Sequence, residues 1–67
     1  MPWVKVEMSS GRSVEQKRAA AEAITQAMVD HCNCSAESVS IVFADVTDEN
    51  WSMGGELILD RKAKAAK

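Results

Sequence analysis

The stretch from Ser13 to Asn33, SVEQKRAAAEAITQAMVDHCN, decides the fold. From Val14 to about Cys32 the apolar residues Ala20, Ala21, Ile24, Ala27, Met28 and Cys32 recur at intervals of three and four, the spacing of one helical face. Ser13 and Gln16 have the separation of a capping box, and Glu15 places an anion in the first turn, where the helix dipole favours it. Asn33 suits the other end, because a left-handed residue commonly closes a helix. The face is built largely from small side chains, which lets the helix backbone lie close to a sheet.

Outward from this helix the period changes to two. On its N-terminal side Val4, Val6 and Met8 alternate with Lys5 and Glu7, which predicts a half-buried strand over Pro2 to Met8, broken by Ser9-Ser10-Gly11. On its C-terminal side Val39-Ser40-Ile41-Val42-Phe43-Ala44-Asp45 predicts a second, more continuously apolar strand. Asp48-Glu49-Asn50 is a polar loop. Met53-Gly54-Gly55-Glu56-Leu57-Ile58-Leu59 predicts a short hairpin arm reaching onto a neighbouring subunit. Strand, helix and strand in this order make a βαβ unit with parallel strands and a right-handed crossover. Two strands and one helix cannot close a core, and parallel sheets are normally covered on both faces. The expected fold is therefore α+β: one domain over residues 1–67, a βαβ subunit completed by oligomerisation.

Size points the same way. A chain of 67 residues buries only roughly 60% of its unfolded surface, so it needs disulfides, a metal or partners. Its two cysteines, Cys32 and Cys34, are too few and too close together to staple a fold, and fit a reducing compartment at least as well as a secreted one. With 46% hydrophobic and 27% charged residues the composition is that of a globular domain, which excludes a disordered tail. No run approaches a membrane span and no signal-peptide pattern opens the chain, so a cytoplasmic homo-oligomer is expected. Residues 1–60 carry four cations against all ten acids, a net of −6, while Arg61, Lys62, Lys64 and Lys67 form a basic tail without interleaved aromatics. That pattern predicts a frayed, solvated helix end rather than a nucleic-acid site.

Pro2 is the candidate catalytic residue. Removal of Met1 from the Met1-Pro2 start leaves a secondary amine at the terminus, and an apolar or cationic setting lowers its pKa toward neutrality, making it a base. Trp3, Trp51 and Met53 are candidate apolar walls, and Arg12 a candidate cation. His31-Cys32-Asn33-Cys34 offers three metal-ligand types in four residues, but no second cluster completes a site, so no metal is expected. His31 is explained instead by the helix C-terminus, and Cys32 by core filling.

Met1-Pro2 at the start of a strand, Gly11-Arg12-Ser13 followed by Glu15-Gln16-Lys17, and Gly54-Gly55-Glu56-Leu57 near the end together resemble the 4-oxalocrotonate tautomerase family over nearly the whole chain. The resemblance implies a four-stranded sheet dimer and a hexamer built as a trimer of dimers. It implies an isomerase needing no cofactor, which moves a proton on a small 2-hydroxy-dienoate or enol-carboxylate, in the setting of aromatic-compound catabolism. Pro2 would be the base and then the acid, Arg12 of another subunit would bind the substrate carboxylate, and Trp51 would line the pocket where the family usually has phenylalanine. Where the family prototype has a second arginine, this chain has Ser40, which donates one hydrogen bond and carries no charge. A monocarboxylate enol is therefore the expected substrate, unless Arg61 or Lys62 folds over the site. Two alternatives stand beside this reading. A haloacrylate dehalogenase or hydratase would need an acid to activate water, for which Glu49 is the nearest candidate. A non-catalytic oligomeric binding module would tolerate loss of Pro2.

Overall fold

The computed structural model describes residues 1–66 and bears out the βαβ order. Strand β1 (Trp3–Ser9) is followed by helix α1 (Val14–Cys32), a 3₁₀ turn at Ala36–Ser38 and strand β2 (Ser40–Val46). The two strands are parallel, with Trp3 opposite Ser40, Val6 opposite Phe43 and Ser9 opposite Val46. Lys67, the last of the tail cations, lies outside the described residues.

Both predicted helix caps are present. Ser13 Oγ accepts from the Gln16 backbone N–H at 3.1 Å, and Gln16 Oε1 accepts from the Ser13 N–H at 2.9 Å. Two of the first-turn donors that a helix leaves unpaired are thus satisfied. Asn33 closes the helix in the left-handed conformation, at φ 52° and ψ 54°.

Alternation in β1 survives intact. Val4, Val6 and Met8 are half-buried, while Trp3, Lys5 and Glu7 are exposed on the opposite side. The covered side is the one on which Lys17 of α1 reaches across to Asp45 of β2, Nζ to Oδ2 at 2.8 Å. The helix face differs in detail from the sequence reading. Its half-buried residues are Lys17, Ala20, Ala21, Ile24, Thr25, Met28 and Val29, whereas Ala27 and Cys32 are exposed. Each turn contributes an adjacent pair to the sheet, and Ala27 lies about 100° round the helix from Met28, off that stripe. Cys32 is accordingly a surface thiol and not core filling. Cys34 is half-buried, with Sγ directed at the Met28 carbonyl at 3.4 Å.

The C-terminal arm is a hairpin that turns into a helix sooner than predicted. Strands β3 (Ser52–Met53) and β4 (Glu56–Leu57) pair antiparallel around Gly54 and Gly55, whose φ values of 62° and 85° fit a tight two-residue turn that L side chains resist. Ile58 and Leu59, expected to extend the arm, instead open helix α2 (Ile58–Ala65). The tail is not a frayed end either. Arg61 Nε binds Glu56 Oε1 at 3.2 Å, Lys64 also pairs with Glu56, and Lys62 Nζ lies 3.0 Å from Asp48 Oδ2. These ion pairs fold α2 back onto the hairpin and onto the 3₁₀ turn at Asp48–Asn50, giving a cationic helix local carboxylate partners.

Among the described residues Ile58, at 7% exposure, is the one buried hydrophobic side chain. Trp3 is 68% exposed, and Val42, Met53, Leu57 and Leu59 are exposed as well. The accessible surface of 5071 Å² exceeds the roughly 4,200 Å² of a compact monomer of this mass. The radius of gyration, 15.9 Å, compares with about 11 Å for a globule of this length. The chain has a folded backbone without a closed core, the condition that the sequence predicts for a subunit finished by its partners. No helix among the described residues is long and apolar enough to cross a membrane.

Candidate active site

The four candidate residues fall into two pairs at opposite ends of the same sheet. Pro2 and Ser40 form the first. Pro2 is half-buried just before β1, and its carbonyl accepts the Ser40 N–H at 3.0 Å. That bond continues the parallel ladder and holds the carbonyl end of Pro2 against the start of β2. Ser40, also half-buried, opens β2 beside it.

Arg12 and Trp51 form the second pair. Arg12 lies in the loop between β1 and α1, exposed, with Nη1 donating to the Ser9 carbonyl at 3.1 Å. Trp51 follows the 3₁₀ turn at Asp48–Asn50, and its carbonyl accepts the Ile58 N–H at 2.8 Å. That bond ties the indole-bearing residue to the buried start of α2. Trp51 lines a cavity of about 320 Å³ together with Glu7, Met8, Ser9, Val46 and Asn50. Within one chain, therefore, Trp51 and Met53 are not walls around Pro2. Trp3 is its sequence neighbour and is exposed.

Glu7, Val46 and Asn50 were not among the residues singled out from sequence. Glu7 reads there as the polar half of an alternating strand. The available signal was parity, since Glu7, Ser9 and Val46 share the sheet face turned away from the helix.

Electrostatics separate Arg12 from the other cations. Lys5 stands 3.5 Å from Glu7, Lys17 pairs with Asp45, Arg18 with Glu15, Arg61 and Lys64 with Glu56, and Lys62 with Asp48. Arg61 Nη2 also donates to the Met53 carbonyl at 3.1 Å. Among the described Lys and Arg residues, Arg12 alone has no carboxylate partner. Its guanidinium keeps most of its five donors free for a ligand, in a fork that matches a carboxylate. Arg61 and Lys62, considered as stand-ins for the arginine missing at Ser40, are committed to acids of their own chain. Glu49 is exposed beside Asp48, outside the set that lines the cavity. No group of three or more His, Cys, Asp or Glu among the described residues could hold a metal ion.

Comparison with known proteins places the fold in a family. The family model described as tautomerase enzyme matches residues 2–61. The chain is 38% identical over 55 residues to the 2-hydroxymuconate tautomerase of Comamonas testosteroni, covering 82% of this chain and 87% of the relative. It is 35% identical to a probable tautomerase of Lactococcus lactis, covering 85% and 93%. Among solved structures, a 4-oxalocrotonate tautomerase isozyme from Methylibium petroleiphilum superposes with a TM-score of 0.88 at 33% identity, over 94% of this chain and 98% of that one. A heterohexameric 4-oxalocrotonate tautomerase from Chloroflexus aurantiacus follows at 0.82 and 27% identity, over 90% and 97%. From the βαβ fold, the capped helix that Arg12 precedes and these likenesses together, the chain belongs to the tautomerase family and is an isomerase of the 4-oxalocrotonate tautomerase group.

Proposed function

We propose that this isomerase works without a cofactor and carries its proton on the amino-terminal amine of Pro2, once Met1 has been removed. Its substrate is a small 2-hydroxy-dienoate or enol-carboxylate. The neutral amine takes the proton from the enol oxygen or the α-carbon. The resulting ammonium returns it to a conjugated carbon, so the proton count is unchanged and one isomer becomes another. Arg12 of a neighbouring copy receives the carboxylate, Trp51 supplies an apolar wall, and Ser40 offers one neutral hydrogen bond beside the reacting end.

The observation that carries this reading is the bond from the Ser40 N–H to the Pro2 carbonyl. A terminal residue is normally frayed, and a frayed amine is solvated and protonated. A proline whose carbonyl is held in the sheet resists fraying and keeps its amine near the start of β2, where a general base can be positioned. The free guanidinium of Arg12 supplies the complementary charge.

The assembly we propose is a homohexamer, a trimer of dimers, located in the cytoplasm, with residues 1–67 acting as one domain. The large uncovered surface of the single chain supports self-association, and the heterohexameric neighbour from Chloroflexus aurantiacus supports the number six. The test is ultraviolet detection of enol ketonisation with protein whose intact mass confirms an N-terminal Pro2. Pro2→Ala should lose at least two orders of magnitude in kcat, the low end of general acid–base catalysis. Undiminished turnover in that variant would refute the mechanism.

A further inference from the structure

We infer that Cys32 and Cys34 form a reversible dithiol–disulfide site, which low-molecular-weight disulfides such as oxidised glutathione close into a ring within one chain. Neither thiol has a part in the proposed function. Both are free, Cys32 exposed at the end of α1 and Cys34 half-buried just beyond it. Asn33 between them is left-handed, at φ 52° and ψ 54°. A residue in that conformation mirrors a helical one and sets its neighbours' Cα atoms at the helical spacing, about 5.4 Å. An extended residue would hold them roughly 6.8 Å apart. Disulfides span Cα separations of about 4.4–6.8 Å, so the left-handed cap puts the pair in the middle of that range instead of at its limit.

The side chains agree with the backbone. Cys34 Sγ turns back onto the last turn of α1, 3.4 Å from the Met28 carbonyl. In the helical ladder that carbonyl also receives the N–H of Cys32. The Cys34 sulfur therefore lies on the same turn as Cys32, within roughly 6.5 Å of its backbone nitrogen. Exposure sets the order of events. The Cys32 thiolate attacks one sulfur of the external disulfide, and the other sulfur leaves as a thiolate. Cys34, having given its proton to solvent, then attacks Cys32 Sγ and expels the second thiolate. Two electrons pass from the protein to the reagent, whose halves leave as two thiols with the two protons that the cysteines release. Met28 loses the Cys34 S–H but keeps its ladder partner, so closure strands no acceptor. So small a ring constrains the unfolded chain little, and exposed disulfides are the labile ones, so excess thiol reopens it.

The experiment treats the folded, assembled protein with oxidised glutathione, blocks the remaining thiols with an alkylating agent and reads intact mass and peptide linkage by mass spectrometry. The wild type should lose two hydrogen atoms per chain and both alkylation sites, and should run as a single chain on a denaturing gel without reductant. Excess reduced glutathione should restore both thiols. Cys34→Ser keeps the attacking thiol and lacks the resolving one, so it should stop at the mixed disulfide, heavier by one glutathionyl group. Cys32→Ser should react more slowly than Cys34→Ser, because its remaining thiol is half-buried. The wild type alone decides the matter if a variant does not fold. A wild type that keeps both thiols, that itself stops at the mixed disulfide, or that links chain to chain overturns the inference.

Discussion

Mixing two inactive variants tests how the site is divided between chains. Pro2 precedes β1, and Arg12 rests on the carbonyl of Ser9, at the far end of that strand. Seven residue steps at about 3.3 Å separate Pro2 from Ser9, so the amine and the guanidinium of one chain stand roughly 20 Å apart. A small enol-carboxylate, five or six bonded atoms long, reaches only about 8 Å. One chain cannot bring both groups to one substrate. If the reading is right, each site takes its amine from one copy and its guanidinium from another. A Pro2→Ala chain then still supplies an intact Arg12, and an Arg12→Ala chain an intact Pro2. Arg12→Ala should leave the fold nearly unchanged, because the lost bond to Ser9 is an exposed one and such surface changes stay within about 0.5 kcal/mol. The two variants are co-expressed with different tags, and mixed oligomers are isolated on both tags in turn. With random mixing, half of the amines and half of the guanidinium groups are intact, so about one site in four is complete and about a quarter of wild-type turnover should return. Mixed oligomers as inactive as their components would refute the reasoning, because sites confined to one chain cannot be rebuilt by mixing.

Two predictions concern the scaffold. Ser13→Ala removes the acceptor of the Gln16 N–H and should cost about 1 kcal/mol, read as a lower urea midpoint at fixed protein concentration and unchanged slope. Ile58→Ala empties the one buried hydrophobic position among the described residues and should cost about 2–5 kcal/mol. It should also loosen Trp51 through the backbone bond between them, raising KM for an aryl substrate more than it lowers kcat, and equal loss in both parameters would count against that link.

What the sequence disclosed and what it hid have physical causes. Val4, Val6 and Met8, Ser13 with Gln16, and Asn33 act locally, through strand parity, a three-residue capping distance and a left-handed cap. Each is legible without knowledge of the rest of the fold. The reach of β2 was legible for the same reason, from Val39 to Asp45 against an observed Ser40–Val46. Helix α2 was not. Ile58-Leu59 is a short apolar pair that suits strand or helix, and what decides between them is the pairing of Arg61 and Lys64 with Glu56, formed only once the hairpin has turned. The same pairings removed Arg61 and Lys62 from the list of free cations. Cys32 was misplaced because a spacing of four from Met28 ignores where the helix leaves the sheet. Pro2, Arg12 and Trp51 stood out by their chemistry and received their expected roles, with Ser40, from the resemblance. Their division into two distant pairs follows from strand length and register. Glu7 escaped notice because alternation explains a charged strand residue so readily that its position at a cavity is invisible without the second strand and the Trp51 loop.

The absent core and the divided site have one cause. A two-stranded parallel sheet with one helix leaves a face, two edges and both strand ends uncovered, and here the candidate residues sit at the strand ends. Covering the exposed Trp3, Val42 and Leu59 with other copies would remove them from water and favour assembly by the ordinary hydrophobic term. The same contact is what would bring the Pro2 amine of one copy to the Arg12 guanidinium of another. Desolvation around Pro2 lowers the pKa of a secondary amine, so the base would become competent only where the interface has formed. An isolated chain would be both poorly stable and inactive. A substitution that weakens the interface without touching Pro2 or Arg12 should therefore lower activity in proportion to the assembled fraction. Among the described residues, pairing six cations and leaving Arg12 free would then keep the closed interface from trapping unmatched charge, while reserving one guanidinium for the substrate.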